Sequence, residues 1–230
     1  MLRMNTLPPS VSLVPRHLSL GLPLVMPAGN PSPSYHFIKR VIDIVGALVL
    51  IIMLSPVLLS ILIVLTIATR GKPLFWQRRA GHLGRPFMMA KFRTMRLDAD
   101  KIKHTVQNEI NGPIFKNRND PRVTWLGRIL RKTSLDETPQ LLHVLFGRMS
   151  LVGPRPLDVR EVADFEPWQL RRLAVKPGLT CLWQVSGRSD IGFEEWSRMD
   201  LWYVRNQSLK TDLELLCRTP LKVLGCQGAY

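Results

Sequence analysis

Acidic residues are scarce in this chain. It carries 17 Asp and Glu against 32 Lys and Arg, a formal net charge of +15 at pH 7. That imbalance predicts an anionic partner: nucleic acid, anionic lipid headgroups or phosphorylated substrates. Nucleic acid is not expected, because no nucleic-acid-binding motif accompanies the charge. Cysteine is scarcer still. Cys181, Cys217 and Cys226 are odd in number and lack zinc-ligand spacing, so they read as single thiols in a reducing compartment. Residues 1–34 hold no acid at all and no unbroken apolar stretch; Leu18 to Met26 is the nearest candidate, and Pro23 interrupts it. A signal peptide is therefore not expected. Pro8, Pro9, Pro15, Pro23, Pro27, Pro31 and Pro33 break helix and sheet alike, and the segment reads as a disordered Pro-rich tail on the cytoplasmic side.

What is present suits one modest domain with attachments: 230 residues, 46% of them apolar, enough to bury a core. The most informative stretch is Val41 to Ala68, 28 residues whose only charge is Asp43. As a helix it would reach about 42 Å, where about 20 apolar residues already span a bilayer. A plain transmembrane helix is one reading. Two features favour a re-entrant one. Ser55-Pro56 lies mid-run, and proline removes an amide donor and crowds the preceding turn. Both flanks are basic, with Lys39 and Arg40 before and Arg70, Lys72, Arg78 and Arg79 after, and basic flanks prefer the cytoplasm. A helix that enters, bends at Ser55-Pro56 and returns keeps both clusters on one side. The Ser55 hydroxyl can meet the carbonyl that the proline leaves free.

Beyond the anchor the chain reads as a basic domain. Pro73 to Arg79 and Phe87 to Arg93 read as two strands, with Gly81, Gly84 and Pro86 in the turn. Asp98 to Val106 predicts a weak helix, Asn111 to Pro121 a loop, and Thr124 to Lys132 a short helix with Trp125, Ile129 and Leu130 on one side. Ser134 and Glu137 fit a capping box, or Asp136 is itself the cap, and Gly147 is the stop. Either register puts Asp136 and Glu137 at a helix start, where carboxylates offset the dipole and cap free amides. Their setting opens a second reading. Arg128, Arg131, Lys132, Arg148 and Arg155 surround them in sequence, which favours the anionic form. Such a pair can hold Mg2+, and one member can attack phosphorus. Gly153-Pro154-Arg155-Pro156 is a stiff loop, either a surface turn or a guanidinium fixed for bidentate phosphate binding. Helices are expected near Phe193 to Asn206 and Thr211 to Leu224. Trp168, Trp183, Trp196 and Trp202 read as core before headgroup anchors.

Four motifs in order carry a resemblance: Lys91-Phe92-Arg93-Thr94-Met95, Leu130 to Glu137, Met149 to Pro156, and Lys176-Pro177-Gly178-Leu179-Thr180. Beside a Ser-Pro-interrupted anchor, they resemble the bacterial sugar transferases, the monotopic polyprenyl-phosphate hexose-1-phosphate transferases, over about residues 35 to 230. The ending, Trp183 to Arg188 and Gly228-Ala229-Tyr230, is similar to the exopolysaccharide-initiating branch. The chain departs from the pattern at His143, Arg148, Cys181 and Gly225-Cys226-Gln227.

The resemblance implies an α+β, mainly helical fold: tail 1–34, re-entrant membrane helix-break-helix anchor 35–70, and a small cytoplasmic catalytic domain 71–230 with a short β-hairpin. Lys39, Arg40 and Asp43 are implied at the headgroup end of the anchor. Asp136 is implied as nucleophile and Mg2+ ligand, forming an aspartyl-phosphosugar, and Glu137 as its partner acid, a general base or an aid to the metal. Lys91, Arg131 and Arg155 match phosphate-contacting positions. The implied partners are a UDP-hexose (glucose or galactose), undecaprenyl phosphate and membrane lipid; a homodimer stays open. The implied location is the cytoplasmic (inner) membrane of a bacterium, with the catalytic domain on the cytoplasmic face. The alternative is a non-catalytic basic membrane adaptor that binds anionic lipid or an acidic partner.

Overall fold

A computed structural model describes residues 31–102, 105–109, 117, 119–187 and 191–224. The expected tail up to residue 30, most of the loop 111–121, Arg188, Cys226 and the final Gly228-Ala229-Tyr230 lie outside the described residues.

Helix α1 spans Pro33–Ala68, 36 residues, or about 54 Å. Ser32 caps it by accepting from the Tyr35 amide, and Pro33 sits in the first turn, where its missing amide costs nothing. The helix runs without interruption through Ser55-Pro56, where a break was expected. The Ser55 hydroxyl repairs the ladder and the Ser60 hydroxyl adds a second bond beside it. Ser55 Oγ donates to the Ile52 carbonyl (2.8 Å), the one left without an amide by Pro56, and Ser60 Oγ donates to the Pro56 carbonyl (2.9 Å). Among the described residues this is the one helix long and apolar enough to cross a membrane.

One stripe of α1 faces the domain along most of its length. Asp43, Ala47 and Leu65 are buried. Ala47, Leu50 and Ile51 join a core with Met89, Leu141, Val144 and Met149. Past the proline, Leu58, Ile61 and Leu65 pack on Phe92, Leu126 and Leu130. Both halves of the helix therefore rest on the same domain, while Val45, Leu48, Ile52, Met53, Leu59, Ile63 and Ile67 stay exposed. Lys39, Arg40 and Asp43 turn inward. Lys39 Nζ donates to the Val152 carbonyl (3.1 Å) and to Asp212 (2.8 Å), and Asp43 accepts from Ser150 Oγ (2.9 Å) and the Leu151 amide (2.8 Å). These charges latch the helix to the domain, so Lys39 and Arg40 are not free flanking charges for the topology rule.

The expected hairpin is present as β1 Leu74–Ala80 and β2 Pro86–Phe92, antiparallel, with Trp76 opposite Ala90. The segment 98–106 is a series of i→i−3 turns in its described part rather than a helix. Helix α2, Trp125–Lys132, is capped by the Thr124 side chain. Leu130 is buried, but Trp125 and Ile129 face outward, so the three do not share a buried side. Helix α3 is Gln140–Leu145. Strand β3, Ser150–Val152, pairs in parallel with β4, Gly178–Thr180, a contact the sequence reading did not anticipate. Helices α4 Val159–Ala163, α5 Pro167–Leu170, α6 Leu182–Ser186, α7 Phe193–Arg205 and α8 Leu209–Leu224 complete the domain. Trp183 and Trp196 stack at 4.3 Å within the core, whereas Trp202 is half exposed. The described residues are mainly helical, with two small two-stranded sheets among them.

Candidate active site

The turn that presents the two acids is tight. Ser134 adopts a left-handed conformation (φ 57°), and Leu135–Glu137 follow as a 3-10 turn. The expected capping box is not formed: Ser134 makes no side-chain cap bond, and Glu137 spends its carboxylate elsewhere. A non-glycine residue at positive φ is strained, and such strain collects at functional sites. Gly147 ends α3 as expected, at φ 72°. Arg40 reaches from α1 to donate to the Val144 and Leu145 carbonyls, both at 2.7 Å. Helix α1 thus caps the short helix that follows the acids.

Glu137 is held by two cations. Lys91 Nζ donates to Oε1 at 2.6 Å, and Arg155 forks onto Oε2 and Oε1 at 3.0 and 2.5 Å. Burial alone would raise the Glu137 carboxyl, but Arg155 and Lys91 override it and hold it well below the usual carboxylate range. Asp136, next in the chain, is only 8% exposed. Burial, then repulsion from Glu137, pushes its carboxyl up to about 6, against the pull of Lys91, Arg131 and Arg155. Arg131 donates from Nε to Thr94 Oγ1 (3.0 Å), and its charge interacts with Asp136. Burial lowers Lys91 and Glu137 opposes the shift. For Arg155 the Glu137 charge outweighs burial and keeps the guanidinium protonated. The five residues expected at the site, Lys91, Arg131, Asp136, Glu137 and Arg155, are therefore brought together from β2, α2, the turn and the loop after β3.

The loop that carries Arg155 is held by its carbonyls. Prolines 154 and 156 have no amide hydrogen to donate. Four successive carbonyls each find a donor from another segment: Pro154 from the Gly178 amide (2.9 Å), Arg155 from Arg172 Nη2 (2.9 Å), Pro156 from Arg79 Nη1 (3.3 Å) and Leu157 from the Ala80 amide (2.9 Å). Gly153 and Gly178 touch backbone to backbone; a Cβ on Gly178 would lie 2.1 Å from the Gly153 nitrogen. Two of the sequence motifs are thus two sides of one contact.

Arg172 and Asp200 were not singled out from sequence, and Arg79, read there as a flanking charge, instead turns inward to the Pro156 carbonyl. Asp200 had a local signal: it sits on the buried face of α7 with Trp196, Ser197, Tyr203 and Val204, a charge on a stripe that should be apolar. Arg172 had none. His143, another unforeseen contributor, accepts the Ala90 amide at Nε2 (3.1 Å), one residue before Lys91.

For Mg2+ the donor set is small. Both Glu137 oxygens are engaged, leaving Asp136 as the carboxylate available beside the cations. The described residues contain no cluster of three or more His, Cys, Asp or Glu. With one free carboxylate, a Mg2+ ion here would need substrate phosphate oxygens and water to complete its shell.

Comparison with known proteins gives a consistent result. Residues 34–226 match the bacterial sugar transferase family. The UDP-galactose-lipid carrier transferase of Erwinia amylovora is 42% identical over 205 residues, 86% of this chain and 42% of that protein. The undecaprenyl-phosphate galactose phosphotransferase of Salmonella typhimurium is 40% identical over 206 residues, 86% of this chain and 42% of that protein. The exopolysaccharide production protein ExoY of Rhizobium meliloti is 37% identical over 209 residues, 88% of this chain and 92% of that protein. The chain spans less than half the length of the first two of these relatives and most of the third.

Proposed function

The chain belongs to the bacterial sugar transferase family, and from that premise we propose that it moves hexose-1-phosphate from a UDP-hexose, glucose or galactose, onto undecaprenyl phosphate at the membrane surface. The observation that carries this is Asp136: a buried carboxylate within a ring of Lys91, Arg131 and Arg155, beside an acid that two of those cations already neutralise.

The reaction runs as two displacements at one phosphorus. An Asp136 carboxylate oxygen attacks the sugar-bearing phosphorus of the UDP-hexose. The bond to the bridging oxygen breaks, UMP leaves with the electron pair, and an aspartyl-phosphosugar forms. A phosphate oxygen of the lipid carrier then attacks the same phosphorus, and the Asp136 oxygen leaves as carboxylate. Nucleophile, donor and acceptor are all anionic, so charge neutralisation and positioning are most of what the site must supply. Arg131 and Lys91 face the phosphoryl oxygens, and Arg155 adds a planar fork suited to them. Glu137 sets the aim of Lys91 and Arg155; with both oxygens engaged it serves as their counter-ion rather than as a base. Mg2+, when bound at Asp136, would neutralise charge on phosphate oxygens.

The membrane reading is of the same kind. Helix α1 serves as an anchor that enters lipid from the cytoplasmic face and returns no polar domain to the far side. Its two halves on either side of Pro56 rest on one domain, which supports a monotopic seat over a span. Trp125 on α2 and Phe146 after α3, 74% and 76% exposed, extend its apolar surface toward the headgroup level.

The test uses the full chain in lipid nanodiscs with UDP-hexose labelled in the phosphate next to the sugar, and undecaprenyl phosphate. Label is expected in the lipid fraction and, without the acceptor, on the protein. Asp136→Asn should lose both; full transfer by that variant would overturn Asp136 as the nucleophile, and absence of label in the lipid and on the protein with the wild type would return the adaptor alternative.

A further inference from the structure

The proposed transfer depends on where Arg155 points, and its loop is held through its carbonyls. Three of the four carbonyl bonds run to main-chain amides or to Arg79 on the neighbouring strand. The fourth, on Arg155 itself, is made by Arg172, 17 residues further along the chain. Arg172 Nη2 lies 2.9 Å from that carbonyl and 2.6 Å from Asp200 Oδ2 on α7. The two side chains are 2% and 1% exposed. The Arg172 guanidinium sits 5.4 Å from the centre of the Trp196 ring and 6.0 Å from that of Phe165. Trp196 in turn stacks on Trp183. The guanidinium is thereby clamped between a carboxylate, a carbonyl and an aromatic wall.

A buried ion pair of this kind adds little net stability compared with a well-packed apolar pair, since desolvation offsets the attraction. What it does provide is direction. Nη2 alone meets both Asp200 and the Arg155 carbonyl, and the flat guanidinium lies over the Trp196 and Phe165 rings, a seat that the compact ammonium of a lysine does not fill. Asp200 fixes Arg172, Arg172 fixes the Arg155 main chain, and the Arg155 fork lands on both Glu137 oxygens.

We propose that Arg172, oriented by Asp200, is the positioning residue that aims Arg155 in the transfer reaction. This rests on the sugar-phosphate transfer reading given above. Arg172 touches no substrate; it acts through Arg155.

The experiment replaces the pair together, Arg172→Met with Asp200→Leu, so that no buried charge is left unpaired. The full chain in nanodiscs is expected to melt within a few degrees of the wild type. Its kcat should fall about 100-fold, the scale of a small misplacement of a catalytic group, with KM for the UDP-hexose changed far less. The decisive comparison is a double-mutant cycle with Arg155→Lys. If Arg172 works through Arg155, the paired replacement costs little further in the Arg155→Lys background. Equal loss in both backgrounds would overturn the inference, because a purely structural pair acts regardless of what stands at 155. Should the paired variant melt far lower, Arg172→Lys decides: it keeps a charge for Asp200 but lacks the flat group seated over Trp196 and Phe165 that sets the reach of Nη2, so kcat is expected to fall without the stability loss, and unchanged kcat overturns the inference. Transfer by the wild type and equally by the paired variant overturns the inference alone. Absence of transfer by the wild type overturns the underlying reading and this inference with it.

Discussion

Asp136 and Glu137 are neighbours in the chain and share one cluster of cations, yet their carboxyls are pushed in opposite directions, Asp136 up to about 6 and Glu137 well below its ordinary range. The difference lies in contact. Glu137 receives hydrogen bonds from Lys91 and Arg155, whereas Asp136 is buried beside the Glu137 charge. Acids separated in this way are assigned different roles by their surroundings.

The pH dependence of transfer should therefore show an acid limb near 6. The nucleophilic carboxylate is lost as pH falls through that value, so kcat/KM, which reports free-enzyme groups, is expected to drop about tenfold per pH unit below it. A limb at an ordinary aspartate value near 4 would contradict the burial described here.

Stability carries the opposite sign. A carboxyl raised above its unfolded value costs the folded protein once it ionises, so its contribution is best at low pH and is lost as pH rises through about 6. Asp136→Asn, inactive in transfer, is expected to melt higher than the wild type at pH 8, with the gain shrinking toward pH 4. Thermal melts at both pH values check this.

Replacing Glu137 by Gln removes the repulsion that raises Asp136 and frees the Lys91 and Arg155 charges to act on it. The acid limb should move below 6 while the fold loses about 2 kcal/mol from broken charged hydrogen bonds. A pH–rate profile beside urea unfolding separates the two effects. An unmoved limb would show that Glu137 does not govern its neighbour.

Gly178→Ala should cost about 3 kcal/mol, because its Cβ would meet the Gly153 backbone at 2.1 to 2.6 Å and β3 and β4 must part. Gly71→Ala is the control: φ is +84° but nothing lies within 4 Å, so only the left-handed backbone penalty of about 1 kcal/mol applies. Urea midpoints of the two variants give the ranking.

Lys39→Met strands Asp212 against the Tyr35 and Tyr203 hydroxyls. Leaving a buried charge unpaired is expected to cost about 3 kcal/mol, with most of it recovered by adding Asp212→Asn. If the double variant is no more stable than Lys39→Met, the latch between α1 and the domain is weaker than its geometry indicates.

Much of this was legible in local pattern. Two short runs rich in apolar and aromatic residues on either side of Gly81, Gly84 and Pro86 located the hairpin, and the length of the apolar run located α1, because both signals are carried by neighbouring residues. Gly147 as a helix stop has the same origin. The segment 98–106 misled: Ala99 and Val106 are buried as a helix would bury them, but the described residues 98–102 reach that burial through turns. The capping box at Ser134 and Glu137 also misled, because a local carboxylate–amide bond lost to two cations that arrive from β2 and the Arg155 loop.

From the order of residues alone came the membrane-seeking helix, the basic character and the hairpin, since composition and short-range spacing are properties of the chain itself; the candidate set of Lys91, Arg131, Asp136, Glu137 and Arg155 came from the motifs that carry the family resemblance. Only the folded protein decided that Lys39, Arg40 and Asp43 turn inward, that Gly153 meets Gly178, that Glu137 is a counter-ion while Asp136 stays available, and that Arg172 and Asp200 stand behind Arg155. The physical reason is that burial and electrostatic pairing depend on which distant segments share a place. That closeness arises in three dimensions, and no window of neighbouring residues contains it.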